Sequence, residues 1–512
     1  MTVSFNNMPG TIRAPLFYGE VNAGISPYSG TSRTILLGRK LAGGSAATGK
    51  LIDIGGSDPN GLFGPGSMLA DMAVFARNFN PTGAILALPL PDPTGAVAGT
   101  GTFTITGPAT STATLTRYVA GERYDTVVAV GDTATTIATN MAAIINAGYV
   151  KFNRRMLPPV VAAASSGVVM LTARHAGAEA SMIRLEAGLD GNETDPAGVT
   201  VLIAQMTNGA GIVDIAAALS LMGAEPGDWF ASPYGSTTQL AAAQFFFSDA
   251  GSGRWSPTVS LDGHYITTFD GNLSAQTAFG SVRNDRHATI LATNSYSHPA
   301  WSYAAALTGI VGFSKDLGRD LTDAIEIARP LQTIGLSGLR GPADRTLRWA
   351  LADRESLYRN GMSALTFAMD GTPVIDRVLT TYQSNAFNVA DITFLGIETM
   401  AIAAYVKRYL KDVVTSTYPR AVLRDDNPTG IQGVATPKQI TATLIHAYTQ
   451  LSNIGGIVEN VTLFAKYVIV ERASDPNRVN AYLPIDVANQ LIAFAANITI
   501  FPQFDENTIT LL

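Results

Sequence analysis

The chain has 512 residues, a net charge of −6 and no cysteine. The length predicts several domains. The missing cysteines exclude disulfides, thiolate nucleophiles and cysteine-based metal sites, and scattered basic residues in an acidic chain exclude a basic nucleic-acid-binding face. Only 14% of residues are charged, against about 25% in typical soluble domains. A surface rich in small neutral residues suits broad subunit contacts, because little charge is desolvated; it equally suits a threonine-rich β protein.

In chain order, residues 1–7 have neither the basic start nor the apolar segment of a signal peptide. No apolar run is long enough to span a bilayer, so no direct membrane insertion is expected. Up to about residue 40, Pro9, Pro15, Gly19, Gly24, Pro27 and Gly30 recur too often for a helix, and the segment reads as an extended arm with one short strand at residues 15–21. Residues 34–38 (TILLG) and 85–90 (ILALPL) read as buried strands around a helix that Ser67 caps. Strand, helix, strand begins an α/β layer.

The texture changes after residues 91–95 (PDPTG). Strands are predicted at 102–106, 113–119, 124–130, 160–164, 168–173 and 182–186, with one helix from Asp132 to about Asn146. This is an inserted, β-rich α+β domain over residues 95–210. The α/β pattern resumes with helices at 212–222, 237–247, 301–313 and 343–360, and strands at 229–232, 258–260, 288–291 and 366–369. The last part is the best patterned. A long helix follows Leu395, and Thr436-Pro437-Lys438-Gln439 is a capping box with proline at the first helical position. Strands are predicted at 464–471 and 479–483, a short helix at 485–494, and a final strand at 497–501.

Several patches carry a family likeness. They are residues 37–42 (LGRKLA), 120–123 (AGER), 129–133 (AVGDT), 380–387 (TTYQSNAF), 433–439 (GVATPKQ) and 470–478 (VERASDPNR) ahead of Leu483-Pro484. With these patches, in this order, the sequence resembles the Mu-like family of contractile phage tail sheath proteins. The resemblance implies a structural protein without catalytic site, metal or cofactor. Such subunits stack as hexameric rings around a tail tube, between baseplate and tail terminator proteins, and contract to drive the tube through the host envelope. The implied location is the virion, after assembly in the host cytoplasm. The implied fold is an α/β multidomain chain: a subtilisin-like α/β core (34–94 and 211–375), the inserted domain (95–210), an α+β C-terminal domain (376–495), and arms at 1–33 and 496–512.

A lone terminal strand must join a sheet. Leu16, Phe17, Tyr18 and Val21 in the first arm, and Ile498, Ile500 and Phe501 in the last, are the expected strand donors. The acceptor is a hairpin carrying Phe464, Val468, Val470, Val479 and Tyr482, which has two edges and takes one strand on each. The competing expectation is that both arms pair within their own chain. Lys407, Arg408 and Lys411, with Arg420 and Arg424 beyond, form the densest basic cluster and are candidate tube contacts; the plainer reading is a solvated helix face near a helix C-terminus.

Other motifs are set aside. Residues 44–50 (GSAATGK) approach a phosphate-binding loop, but Leu51 stands where Ser or Thr must ligate magnesium. There is no G-x-S-x-G elbow, and His175, His264, His287, His298 and His446 form no metal-spaced pair. His446 reads as a core or boundary residue. Another phage assembly protein (tube, capsid or surface layer), or a serine hydrolase on the same core, are the rival functions.

Overall fold

The structure, a computed structural model, describes residues 32–498 and residue 500. The core starts with strand β1 (Arg33–Arg39), buried throughout after Arg33, as a parallel strand covered on both faces must be. Strand β2 (Ile52–Asp53), helices α1 (Pro59–Phe63) and α2 (Met68–Phe79), and strand β3 (Ala84–Leu90) follow. Ser67 caps α2 as expected, its Oγ accepting the Ala70 N–H at 3.1 Å.

The chain then enters the insert: β4 (Ala98–Thr106), β5 (Ala113–Val119), β6 (Glu122–Val128), α3 (Ala134–Ala147), β7 (Tyr149–Lys151), β8 (Arg154–Met156), β9 (Val160–Ser165), β10 (Val168–Ala176), β11 (Leu185–Glu186) and β12 (Thr200–Thr207). A sheet in the order β12-β4-β10-β9 carries α3, and β11-β5-β6 form a second sheet. Val97 and Ala210 exchange both backbone hydrogen bonds where the insert leaves and rejoins the core. Strand β12 was not expected from its sequence; only Met206 in it is fully buried, so the apolar alternation that signals a strand is weak.

Back in the core come α4 (Ile215–Ser220), β13 (Trp229–Ala231), α5 (Thr237–Phe247), β14 (His264–Asp270), α6 (Leu273–Ser281), β15 (Ala288–Thr293) and α7 (Ala300–Ser314). The core sheet runs β15-β14-β13-β1-β3-β2, parallel except for β2. Helix α7 is buried almost all round. Its Gly309 lets it approach α2 closely, since a Cβ there would lie 2.7 Å from the Ala76 carbonyl oxygen. Two expectations fail here. Residues 258–260 form no strand: Ser260 and Asp262 have positive φ, and the strand is β14, whose buried His264, Thr267 and Thr268 masked its apolar pattern. The helix expected over 343–360 is a 3₁₀ turn at Arg345–Leu347 and then α9 (Leu351–Arg359), after α8 (Ile325–Ala328). The break places Trp349 in the core, where its indole N–H donates to the Ala292 carbonyl at 3.2 Å.

The hairpin of β16 (Ala364–Phe367) and β17 (Pro373–Arg377) leads to the C-terminal region. That region holds α10 (Ile397–Thr417), β18 (Val422–Leu423), β19 (Val434–Ala435), α11 (Pro437–Asn453), α12 (Val461–Tyr467), β20 (Ile469–Arg472) and β21 (Val479–Tyr482). The capping box forms: Thr436 Oγ1 accepts the Gln439 N–H at 3.2 Å, and Gln439 Oε1 accepts the Thr436 N–H at 3.1 Å. Replacing Thr436 with Ala is expected to lower stability by about 1 kcal/mol in a denaturant titration.

The expected strand at 464–471 is helical in its first half. Asn460, in the left-handed region, starts α12, and Phe464 is buried, stacked on Tyr448 with centroids 3.9 Å apart. Phe464 therefore belongs to the helical core and not to the hairpin, and Val468 is the cap residue between them. The helix expected at 485–494 is absent. That segment uses its backbone against a neighbouring loop instead, with Glu459 N–H to Asp486 O at 2.8 Å and Ala488 N–H to Ile457 O at 3.0 Å.

Candidate assembly surface

The hairpin β20–β21 is a two-stranded sheet of its own. Its pairs are Ile469–Tyr482, Val470–Ala481, Glu471–Asn480 and Arg472–Val479. Asp475 organises the loop: it accepts the Asn477 N–H at 2.9 Å, and its carbonyl accepts the Arg478 N–H at 3.1 Å. Ala473 donates to the Arg478 carbonyl at 2.9 Å, so hydrogen-bonded pairs alternate from there through Glu471–Asn480 to Ile469–Tyr482. The N–H and C=O groups of Val470 and Arg472 then point away from β21, and those of Val479 and Ala481 away from β20. Among the described residues none of these outward groups has a further backbone partner. Among the described residues both edges are open templates, which proteins normally cover.

Side chains divide the hairpin into two faces. Val470 and Val479 are half-buried, and Val470 packs against the core. On the other face Ile469 and Tyr482, directly paired, are 55% and 61% exposed. Downstream, Leu491, Phe494, Ile498 and Ile500 are all exposed. Four large apolar side chains in ten residues are unusual outside an interaction surface. Residues 497, 498 and 500 are in no strand. Leu16, Phe17, Tyr18, Val21 and Phe501 lie outside the described residues.

The basic cluster lies elsewhere. Arg408 Nε donates to Asp262 Oδ2 at 2.9 Å, its Nη2 bonds Asp228, and Lys407 bonds Asp262 while lying over the Trp255 ring at 4.7 Å. Both carboxylates are buried and sit just ahead of β13 and β14. Burial disfavours the Arg408 charge, but the two carboxylates outweigh it and raise its pKa. Lys407 and Arg408 thus fasten α10 to the amino-terminal edge of the core sheet, and of the three cations only Lys411 is exposed. Asp228 and Asp262 were not expected; each is a lone acid in a short loop before an aromatic strand, a pattern without a period.

Two buried histidines tie the insert to the core. His175 bonds Asp92 through Nδ1 at 2.8 Å and accepts the Met68 N–H at Nε2. His298 accepts the Arg340 N–H at Nδ1 and meets Glu122 through Nε2 at 3.1 Å. Each accepts with one nitrogen, so each is neutral in this arrangement, and burial lowers both pKa values. His264, buried in β14, is pushed down to about 3 by burial. The unfolded chain therefore takes up protons between about pH 6.5 and 3 that these sites refuse. Their stabilisation is complete above pH 6.5 and is lost as pH falls. Asp71, raised to about 6 by burial, acts oppositely, as do Glu186, Asp285, Asp316 and Glu398, which burial also raises; these favour the folded state as pH falls. Between pH 7 and pH 5 the urea midpoint of wild type is expected to drop relative to that of His264→Asn, which lacks the His264 contribution.

The decoy motifs have structural uses. In the loop at residues 44–50, the Gly44 and Ala46 carbonyls hold Lys40, each at 2.7 Å. Among the described residues no histidine is hydrogen-bonded to a serine. His446, expected in the core or at its boundary, is exposed.

A family model described as the phage tail sheath C-terminal domain matches residues 389–501, which include α10, α11, α12 and the hairpin. The Mu-like prophage FluMu tail sheath protein of Haemophilus influenzae is 32% identical over 503 residues, 97% of this chain and 99% of that protein. The chain belongs to the Mu-like tail sheath protein family. It is a structural tail sheath subunit, a virion component and not an enzyme. Among solved structures, the sheath tail protein of Desulfitobacterium hafniense aligns at 12% identity and TM-score 0.45, over 92% of this chain and 100% of that one. The sheath tail protein of Listeria innocua aligns at 12% and 0.46, over 89% and 92%. The contracted helical sheath of the anti-feeding prophage aligns at 12% and 0.42, over 97% and 100%.

Proposed function

We propose that this sheath subunit polymerises as stacked hexameric rings around a tail tube and contracts to drive the tube through the host envelope. The observation that carries the proposal is the hairpin β20–β21, both of whose edges are unpaired among the described residues. Strands from two neighbouring subunits complete it: one from the first arm through Leu16, Phe17, Tyr18 and Val21, one from the last through Ile498, Ile500 and Phe501. Backbone pairing needs little sequence and tolerates rotation of the tethered bodies. Subunits then stay linked while their other contacts rearrange from an extended to a contracted state. The core is read as subtilisin-like in fold, with the domain boundaries given above. Lys411, the exposed cation of α10, is the remaining candidate for an acidic tube surface. Baseplate and tail terminator proteins bound the polymer, which assembles in the host cytoplasm.

Electron microscopy of the purified protein tests the reading. Hollow tubes with helical striations are expected. Monodisperse subunits that persist on co-expression with the tube protein would sink it. A sharper test uses Val470→Pro and Ala481→Pro. Each removes an N–H that points off the hairpin, and proline is tolerated at such edge positions. Both variants are expected to fold and to lose polymerisation; wild-type polymerisation of both excludes strand addition at these edges.

A further inference from the structure

A second feature lies at the seam between insert and core, on elements other than the hairpin. A cleft of about 530 Å³ opens there. The turn between β5 and β6 and the Asp190–Gly191 turn form one wall; the loop around Arg340 and the β16–β17 turn form the other. Five cations line it, Arg123, Lys151, Arg340, Arg345 and Arg348, against three carboxylates, Glu122, Asp190 and Asp370. In a chain of net charge −6 this is a local positive excess.

Three of the cations are satisfied. Arg340 meets Asp190 at 2.7 Å, Arg123 meets Asp125, Asp190 and Glu193 at 2.9–3.2 Å, and Lys151 meets Glu122 at 2.6 Å. Arg345 and Arg348 have no carboxylate partner among the described residues. Asp344, next to Arg345 in the chain, and Asp370, in the cleft wall, are turned to their own loops: Asp344 accepts from Thr346 N–H and Oγ1 at 2.8 and 2.7 Å, and Asp370 accepts the Thr372 N–H at 2.9 Å. Arg345 and Arg348 stand three residues apart across a 3₁₀ turn, which puts their side chains on one side. Arg348 is held in place, its guanidinium carbon 4.3 Å from the Phe367 ring centroid, with its Nε buried and unpartnered. Burial, and then the Arg345 charge beside it, lower the Arg348 pKa, so the pair gains from any anion placed between them. A guanidinium held on a ring keeps its N–H edge free for two parallel bonds to an oxyanion.

We propose that this cleft is an oxyanion-binding site in which Arg345 and Arg348 together hold a carboxylate or phosphate group at the seam between insert and core. The group is either a free anion or an Asp or Glu side chain of a second copy of the chain.

The full chain is tested as wild type, R345A/R348A and the charge-preserving R345K/R348K. Unfolding without added anion verifies that all three fold. Millimolar inorganic phosphate, against chloride of equal ionic strength, is expected to raise the wild-type midpoint by at least about 1 °C and to leave R345A/R348A unmoved. If polymerisation is unaffected by phosphate or by the substitutions, the ligand is the free anion. If phosphate inhibits polymerisation, or R345A/R348A needs about tenfold more protein to polymerise and R345K/R348K recovers part of the loss, the ligand is a carboxylate of a second copy. The proposal is overturned if phosphate stabilises no more than chloride and R345A/R348A polymerises like wild type at every salt concentration.

Discussion

A chain lacking residues 1–30 is expected to remain folded and to lose polymerisation. The described residues form the complete six-stranded core sheet. β1 starts at Arg33, whose backbone N–H is bound by Asp228 at 2.9 Å and whose guanidinium meets Glu225 at 3.4 Å. The proposed assembly contact, by contrast, loses a whole strand. Four backbone hydrogen bonds at about 0.5–1.5 kcal/mol each give about 2–6 kcal/mol per contact, or roughly thirtyfold to ten-thousandfold in affinity. In the proposed strand exchange each subunit both gives and receives a strand, so the loss is expected to recur at every step of polymer growth. Pelleting against protein concentration measures the effect, and circular dichroism verifies the fold. Tubes formed by the truncated chain at wild-type concentration would show that the first arm is dispensable.

The substitution expected to cost most stability is Arg408→Ala. It leaves Asp228 and Asp262, both buried, with only Lys407 nearby as a side-chain cation on α10. Removing one partner of a buried ion cluster typically costs about 3–5 kcal/mol, because the remaining charge stays desolvated. Arg254, which donates to the Asp262 carbonyl at 2.8 Å and the Gly227 carbonyl at 3.3 Å, holds the same loops by their backbone and limits collapse. Lys407→Ala is expected to cost less, about 1 kcal/mol or below, since that side chain is 36% exposed and partly screened. Denaturant titration ranks the two, and hydrogen exchange in α10 reports whether the helix loosens from the core. A combined Arg408→Met, Asp228→Asn, Asp262→Asn chain is expected to recover much of the loss, since replacing a whole buried ion set is often neutral. A loss below about 1 kcal/mol in Arg408→Ala would remove the cluster from the account of how α10 is held.

Much of the layout was legible because local chemistry and tertiary structure agree. Ser67, Thr436 and Gln439 are caps that any helix start would use. The apolar runs of β1 and β3 fit only a sheet covered on both faces. The hairpin with its Asp475–Arg478 turn was recognisable from turn residues between β-formers, although its first strand begins at Ile469 and not at Phe464. Where the reading failed, a residue served a partner distant in sequence. β14 hides behind His264, Thr267 and Thr268, whose polar groups are buried by strands on both sides. Residues 485–494 have helical spacing, but their backbone bonds the 457–459 loop.

The sequence by itself determined the family, the α/β and β-rich texture of successive regions, and most element types, because caps, turns and periodicity act over a few residues. Only the tertiary structure decided what the charged groups do. Lys407 and Arg408 lie 145 and 146 positions from Asp262, and Glu122 meets His298 across 176. Ion pairs are set by positions in space, and no local pattern records them. That both edges of β20–β21 lack a backbone partner among the described residues was likewise decided by the fold, since pairing at an edge depends on which distant segments come to lie beside it.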